Sequence, residues 1–185
     1  SRLGVIVCLQ AGCVQYSYRF FAEVIADPQT ASPLLFPETV FAAPASHLAT
    51  LLGGASLVST LLGDPAAFAQ GLAMGAAWLS EGQVDICLVL GAEETNWLRA
   101  DALWHLERPA IISGGAGAIS LTRDSSLSLG VQLETITEAQ TYSARNHRRQ
   151  AAAAMRAQLP DQAGDWLCDG LGDSPRADAP ESAAW

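Results

Sequence analysis

Apolar and polar positions along the chain alternate between two kinds of segment. Leu3–Leu9 is a continuous apolar run, the pattern of a strand covered on both faces. Gly12 marks a turn. Val14–Ala26 then places Tyr18, Phe21, Val24 and Ile25 at helical spacing, and Asp27-Pro28 ends that helix. Ser32–Pro44 carries Pro33, Pro37 and Pro44 and reads as an irregular, packed-down apolar loop. A short helix over Ala45–Leu52 stops at Gly53-Gly54, and a strand follows over Ala55–Leu62. Asp64 with Pro65 is a strong helix start, the Asp as N-cap and the Pro at the first helical position.

That helix runs to about Glu81 and stops at Gly82. Ala66, Ala67, Ala69, Gly71, Ala73, Gly75, Ala76 and Ala77 surround nearly its whole circumference. The pattern predicts a buried helix with neighbours on several sides, hence layers above and below it. Val84–Gly91 is a second fully buried strand, and Arg99–Glu107 a short helix or loop. Gly114–Gly117 reads as a flexible turn into a strand over Ala118–Thr122. Leu129–Gln140, polar at alternate positions, predicts a further strand. Ser143–Leu159 is a basic amphipathic helix, and Trp166–Cys168 opens another strand. Strands alternating with helices give an α/β layered sheet.

Composition narrows the function classes. Half of the 185 residues are hydrophobic, which is the profile of a globular domain with a proper core. A net charge of −9 argues against nucleic acid, which needs clustered Lys and Arg, and against simple electrostatic docking to an acidic carrier protein. No apolar run approaches the ~20 residues of a membrane helix, no signal peptide opens the chain, and a reducing cytoplasm is the expected compartment. Cys8, Cys13, Cys87 and Cys168 lack metal spacing, as do His47, His105 and His147; no metal or cofactor is expected. The chain opens directly on a strand and ends in the start of a helix, so a piece of something larger is expected.

Other candidates read blandly. His47 is a structural histidine on an apolar helix face, and His105 and His147 are surface residues. Cys13 and Cys168 follow no strand-to-helix turn with a nearby His. Glu93-Glu94 are solvated loop charges more readily than an acid–base pair. Gly114–Gly117 lacks both the spacing and the Lys of a phosphate loop. Arg145, Arg148, Arg149 and Arg156 form a solvated face more readily than a partner contact. Ser56 and Ser59 lie in no nucleophile elbow.

Six segments, in order, resemble the β-ketoacyl synthase family of the thiolase fold. The loop Pro33–Val40 with Pro44–Ala49 resembles the stretch before the family's nucleophile. Gly54-Ala55-Ser56 stands where the family has Gly-Pro-Ser. Gly71-Leu72-Ala73 and Trp78–Gly82 resemble the helix behind the nucleophile. Val84-Asp85 and Val89–Glu94 resemble the next strand. Gly114–Leu121 resembles the Gly-Glu-Gly-Ala-Gly-Ala strand entry. Gly170-Leu171-Gly172, with Asp178, Glu181 and Ala183-Ala184, resembles the segment that opens on a catalytic His. The resemblance implies a thiolase-like α/β/α layered fold, truncated to about one half plus the start of the second. It implies one ketosynthase-like domain over 1–185, with 160–185 leading into the second half.

The family's chemistry needs a Cys at a helix N-terminus, where the dipole favours thiolate, and two His that assist decarboxylation and hold the enolate. The resemblance puts the nucleophile position at Gly63 or Asp64 and the first His at Cys168 or Asp169; the second lies beyond Trp185. None of these residues performs the role, and Asp64 reads as a helix cap. The resemblance therefore implies a non-catalytic, chain-length-factor-like subunit. It would pair with an active ketosynthase, as a heterodimer or larger, and meet an acyl carrier protein only indirectly. The pathway would be polyketide, aryl-polyene or fatty-acid-like synthesis. The glutamine of many chain-length factors is absent at the dead position. Leu34, Phe36 and Phe41 in the loop, and Val84, Ile86 and Leu88 in the second buried strand, are the expected interface. Two alternatives stand beside this: an active condensing enzyme or thiolase relative working through an unorthodox residue, and a fragment with no independent function.

Overall fold

The computed structural model describes residues 1–64, 66–106, 113–124, 126, 131–143, 145–160, 179 and 183. The chain divides into two compact units, Ser1–Ala102 with Ile112–Gln132 and Leu103–Ile111 with Leu133–Trp185. In the first unit the order is β1 (Leu3–Leu9), α1 (Val14–Ala26), a 3-10 turn (Pro37–Thr39), α2 (Ala43–Leu51), β2 (Leu57–Leu62), α3 (Ala66–Ser80), β3 (Ile86–Glu93), the start of α4 (Trp97–Leu106) and β4 (Gly115–Thr122). In the second unit α5 covers Arg145–Arg156. Among the described residues no helix is long and apolar enough to cross a membrane.

The four strands form one sheet in the order β2-β1-β3-β4. β1 lies parallel to β2, pairing Gly4 with Leu57, and parallel to β3, pairing Leu3 with Ile86. β4 runs antiparallel to β3, with Gly117 opposite Gly91. Because successive side chains of a strand leave on opposite faces, β1 feeds two cores. Val5, Val7 and Leu9 meet Ala45 of α2 on one face. Ile6 and Cys8 join Cys87, Val89, Ala67 and Leu79 on the other, under α3. Both faces of β1 are therefore dry, which is why its sequence reads as an unbroken apolar run. The result is the expected layered α/β/α arrangement.

α3 approaches the sheet through a stripe spaced four apart: Ala67, Gly71, Gly75 and Leu79 are its buried residues. A Cβ added to Gly71 would lie 2.7 Å from Cys8 Sγ and 3.0 Å from Val89 Cγ1. Glycine is thus what allows this helix to lie so close to β1 and β3. The helix is not enclosed all round as its composition predicts. Ala66, Ala69, Ala73 and Ala77 are exposed, because no described element covers the side away from the sheet. At its end Gly82 takes φ +68° and Gln83 N–H donates to Trp78 O at 2.8 Å, the left-handed stop predicted there.

Two further expectations differ. Within Leu129–Gln140, residues 131–140 have no regular structure, and Val131 is 86% exposed: the alternation is present, but among the described residues no ladder partner is. Gly115–Gly117 is not a turn but the first part of β4, held by its ladder to β3. The predicted strand at Trp166–Cys168 lies outside the described residues.

Candidate functional site

A cavity of about 320 Å³ opens beyond the carboxyl ends of β1 and β3, at the mouth of α3. In a doubly wound sheet, ligands settle where the strand order reverses. Here β2 and β3 flank β1 on opposite sides, so the reversal falls between β1 and β3. Leu9 and Gln10 close one wall, Gly91 and Glu93 the next, and Gly115 and Gly117 of β4 a third.

Gly63 and Asp64, where the family resemblance would put the nucleophile, follow β2 and precede α3. Gly63 N–H donates to Leu9 O at 3.0 Å, which holds the end of β2 against β1. The Asp64 side chain lines the cavity, and its Oδ1 accepts the Ala66 N–H at 2.9 Å. Asp64 is the N-cap of α3, as its sequence setting predicts. The carboxylate occupies the end where the helix dipole would otherwise favour a thiolate. Cys168 and Asp169 lie outside the described residues.

Cys8 is the thiol that reaches the cavity wall, and it belongs to the core. It is 5% exposed and burial raises its thiol above the ordinary range. Burial likewise pushes Cys87 up to about 11. Cys13 is raised by burial first and then by the nearby carboxylates of Glu38 and Glu94. Cys13 donates to Val40 O at 3.5 Å. All three are free thiols. None of the described residues lining the cavity is a histidine. His47 is bound elsewhere: its Nε2 meets both carboxylate oxygens of Glu38, at 3.0 and 3.1 Å. The described residues also hold no group of three metal-ligating side chains.

The polar chemistry of the cavity comes from residues that sequence reading passes over. Glu93 is not a solvated loop charge. It ends β3, its side chain is only 17% exposed, and its Oε1 accepts the Gln10 N–H and, at 3.2 Å, the Ala11 N–H. Arg99 lies alongside, 15% exposed, with Nη1 at 3.7 Å from Glu93 Oε2 and Nη2 donating to Gln10 Oε1 at 2.8 Å. Asn96 orients this arginine, since its Oδ1 accepts the Arg99 N–H at 2.9 Å at the start of α4. Asn96 followed by an apolar run is a legible helix start. The Arg99–Gln10 contact spans 89 residues and leaves no local signal.

The expected interface residues divide. Leu34, Phe36 and Phe41 are 81%, 58% and 50% exposed. Val84, by contrast, is 0% exposed in the core beneath α3, and Ile86 and Leu88 belong to β3, flanked by β1 and β4. Val84 has no surface to offer a partner: a central strand buries the residues that its apolar run made conspicuous.

No protein-family model matches the chain, and no curated protein matches it. Solved structures do. One described as the ishigamide ketosynthase/chain length factor aligns with a TM-score of 0.77 and 13% identity, over 98% of this chain and 55% of that one. A ketosynthase (ApeO) in complex with its chain length factor (ApeC), from Xenorhabdus doucetiae, aligns with a TM-score of 0.51 and 20% identity, over 67% of this chain and 51% of that one. The chain thus spans about half the length of the structures it matches. It has the layered fold that ketosynthases and chain length factors share.

Proposed function

We propose that this chain is a non-catalytic ketosynthase-like subunit of the chain-length-factor type, which pairs with an active β-ketoacyl synthase. Such a pair would build polyketide, aryl-polyene or fatty-acid-like chains, with a carrier protein delivering substrate to the active partner. One observation supports the reading: a cavity opens at the mouth of α3, and the positions where the resemblance would put the nucleophile, Gly63 or Asp64, offer no thiol. A thioester needs a thiolate at that mouth. Asp64 supplies a carboxylate bonded to the backbone of α3, and the nearby Cys8 is a protonated core thiol.

Pairing is supported by the exposed apolar side chains of α1 and the following loop. Phe21 and Ile25 on α1 are 58% and 84% exposed, next in chain order to Leu34, Phe36 and Phe41. Exposed aromatic and aliphatic residues in this density mark contact surfaces. A single domain over 1–185 and a cytoplasmic site of action complete the proposal; the three free buried thiols fit a reducing compartment.

Co-expression with an active ketosynthase of the same genome tests this. The two chains should co-purify, and Leu34→Asp with Phe36→Asp should abolish co-purification while leaving the chain folded. Product length should change when the chain is removed. Failure to co-purify, together with unchanged product length, would overturn the pairing. A covalent acyl adduct on any cysteine after exposure to acyl thioesters would favour an active condensing enzyme instead.

A further inference from the structure

α1 is 13 residues long and buries none of its side chains. A free helix of that length is marginal in water, and packing of an apolar face normally supplies its stability. One side of α1 has such packing: the ring of Phe20 lies 5.5 Å, centre to centre, from that of Phe36 in the following loop. The other side does not. Tyr18, Phe21, Ala22 and Ile25 are all exposed. Their i, i+3, i+4, i+7 spacing gathers them into one stripe, roughly 150° round the helix from Phe20. Trp97, 60% exposed, stands at right angles to Tyr18 with ring centres 5.3 Å apart and widens the stripe at that end.

The stripe is complementary to itself. It is symmetric about the point between Phe21 and Ala22: turned end for end, Tyr18 falls on Ile25, and Phe21 falls beside the small Ala22. It carries no charge, so a copy of itself covers it without burying an ion. With whole aromatic side chains at about 150–250 Å² each, the open parts of Tyr18, Phe21, Ile25 and Trp97 come to roughly 500 Å² a copy. Two copies would then bury about 1,000 Å², the low end for a specific contact and the size of a reversible one. We propose that two copies of this chain associate through α1, antiparallel about a two-fold axis between Phe21 and Ala22. The loop that carries Phe36 lies on the other side of the helix and stays open to a ketosynthase.

Sedimentation velocity of the full chain tests this with no second protein present, so pairing with a ketosynthase stands or falls separately. The chain should pass from monomer to dimer as its concentration rises through the micromolar range. Each copy carries a net charge of −9, so added salt should tighten the dimer by screening the repulsion. Phe21→Glu and Ile25→Glu should each weaken association at least about tenfold by burying an unpaired charge. Neither should change the circular dichroism, since neither side chain is buried. Ala22→Phe sets two phenyl rings side by side and should also weaken the dimer. Adding Phe21→Ala to it exchanges the large and small partners and should restore most of the affinity, which a parallel or unrelated contact would not do. The proposal is overturned if the chain stays monomeric at every concentration, if salt loosens the dimer, if Phe21→Glu leaves it intact, or if the exchanged pair binds no better than Ala22→Phe alone. A monomeric chain whose Phe21→Glu form no longer co-purifies with a ketosynthase overturns it too, and gives the stripe to that partner.

Discussion

Gly71→Ala sets two effects against each other. Glycine in a helix interior is about 1 kcal/mol worse than alanine, so propensity alone predicts stabilisation. Packing predicts the reverse. The new methyl would sit 2.7 Å from Cys8 Sγ, 3.0 Å from Val89 Cγ1 and 3.4 Å from Ile6 Cγ2. Cys8 and Ile6 lie on the central strand, and neither side chain has a flexible end that can swing aside. Overpacking of this kind costs about 1–3 kcal/mol. The net expectation is destabilisation by about 1 kcal/mol, growing to several for Gly71→Val. For a chain of this size each kcal/mol is worth about 2–4 °C in Tm. Urea denaturation followed by circular dichroism reads it as a lower midpoint at unchanged slope. Cys8→Ala removes the nearest clashing atom. The double variant Cys8→Ala with Gly71→Ala should therefore be more stable than the sum of the single changes, by roughly 0.5–2 kcal/mol of coupling. A Gly71→Ala protein more stable than its parent, or strictly additive effects in the cycle, would refute the close approach of α3 to β1.

Other measurements follow from the same structure. Asp64→Ala should cost about 1 kcal/mol through the lost cap and Asp64→Asn much less, read by the same denaturation. Native Cys8, Cys13 and Cys87 should resist iodoacetamide at pH 8 and react once the chain is unfolded, as mass spectrometry would show. Their raised values also fix a sign. The unfolded thiols lose protons first, so stability should be flat below about pH 8 and fall above about pH 9, at up to ~1.4 kcal/mol per pH unit for each thiol fully protonated in the native state. Asp85 is held below the usual carboxylate range mainly by its hydrogen bonds from the Arg2 side chain and backbone. Arg2→Ala removes the side-chain bond and should move the Asp85 titration upward in carboxyl-detected NMR.

The sequence speaks clearly where a residue's role is local. α1 begins and ends where Val14–Ala26 predicts, and Asp64 and Gly82 bracket α3 as cap and stop. These signals depend on backbone geometry within one turn. It is silent where the role depends on what lies across the chain. The alternation after Leu129 reads as a strand, and only the described residues show that 131–140 pair with none of them. Small residues all round α3 predict burial on every side, yet the face through Gly71 and Gly75 packs on the sheet while Ala66, Ala69, Ala73 and Ala77 stay exposed. Val84 and Phe36 are both apolar, but one is the floor of a core and the other lies open to solvent. At the cavity, Asp64 was legible as a cap because its partner, the Ala66 N–H, is two residues away. Arg99 and Glu93 were hidden, because charges in a polar stretch look solvated until the turn that binds them is brought from another strand.

The two amides that share Glu93 offer a gauge of this region. Gln10 and Ala11 follow β1, and one carboxylate at the end of β3 receives both protons. Any motion that withdraws this carboxylate takes the acceptor from both amides at once. Their exchange with deuterium should therefore rise and fall in step. A single pair of peaks would then report how firmly the ends of β1 and β3 are joined, without any label placed there.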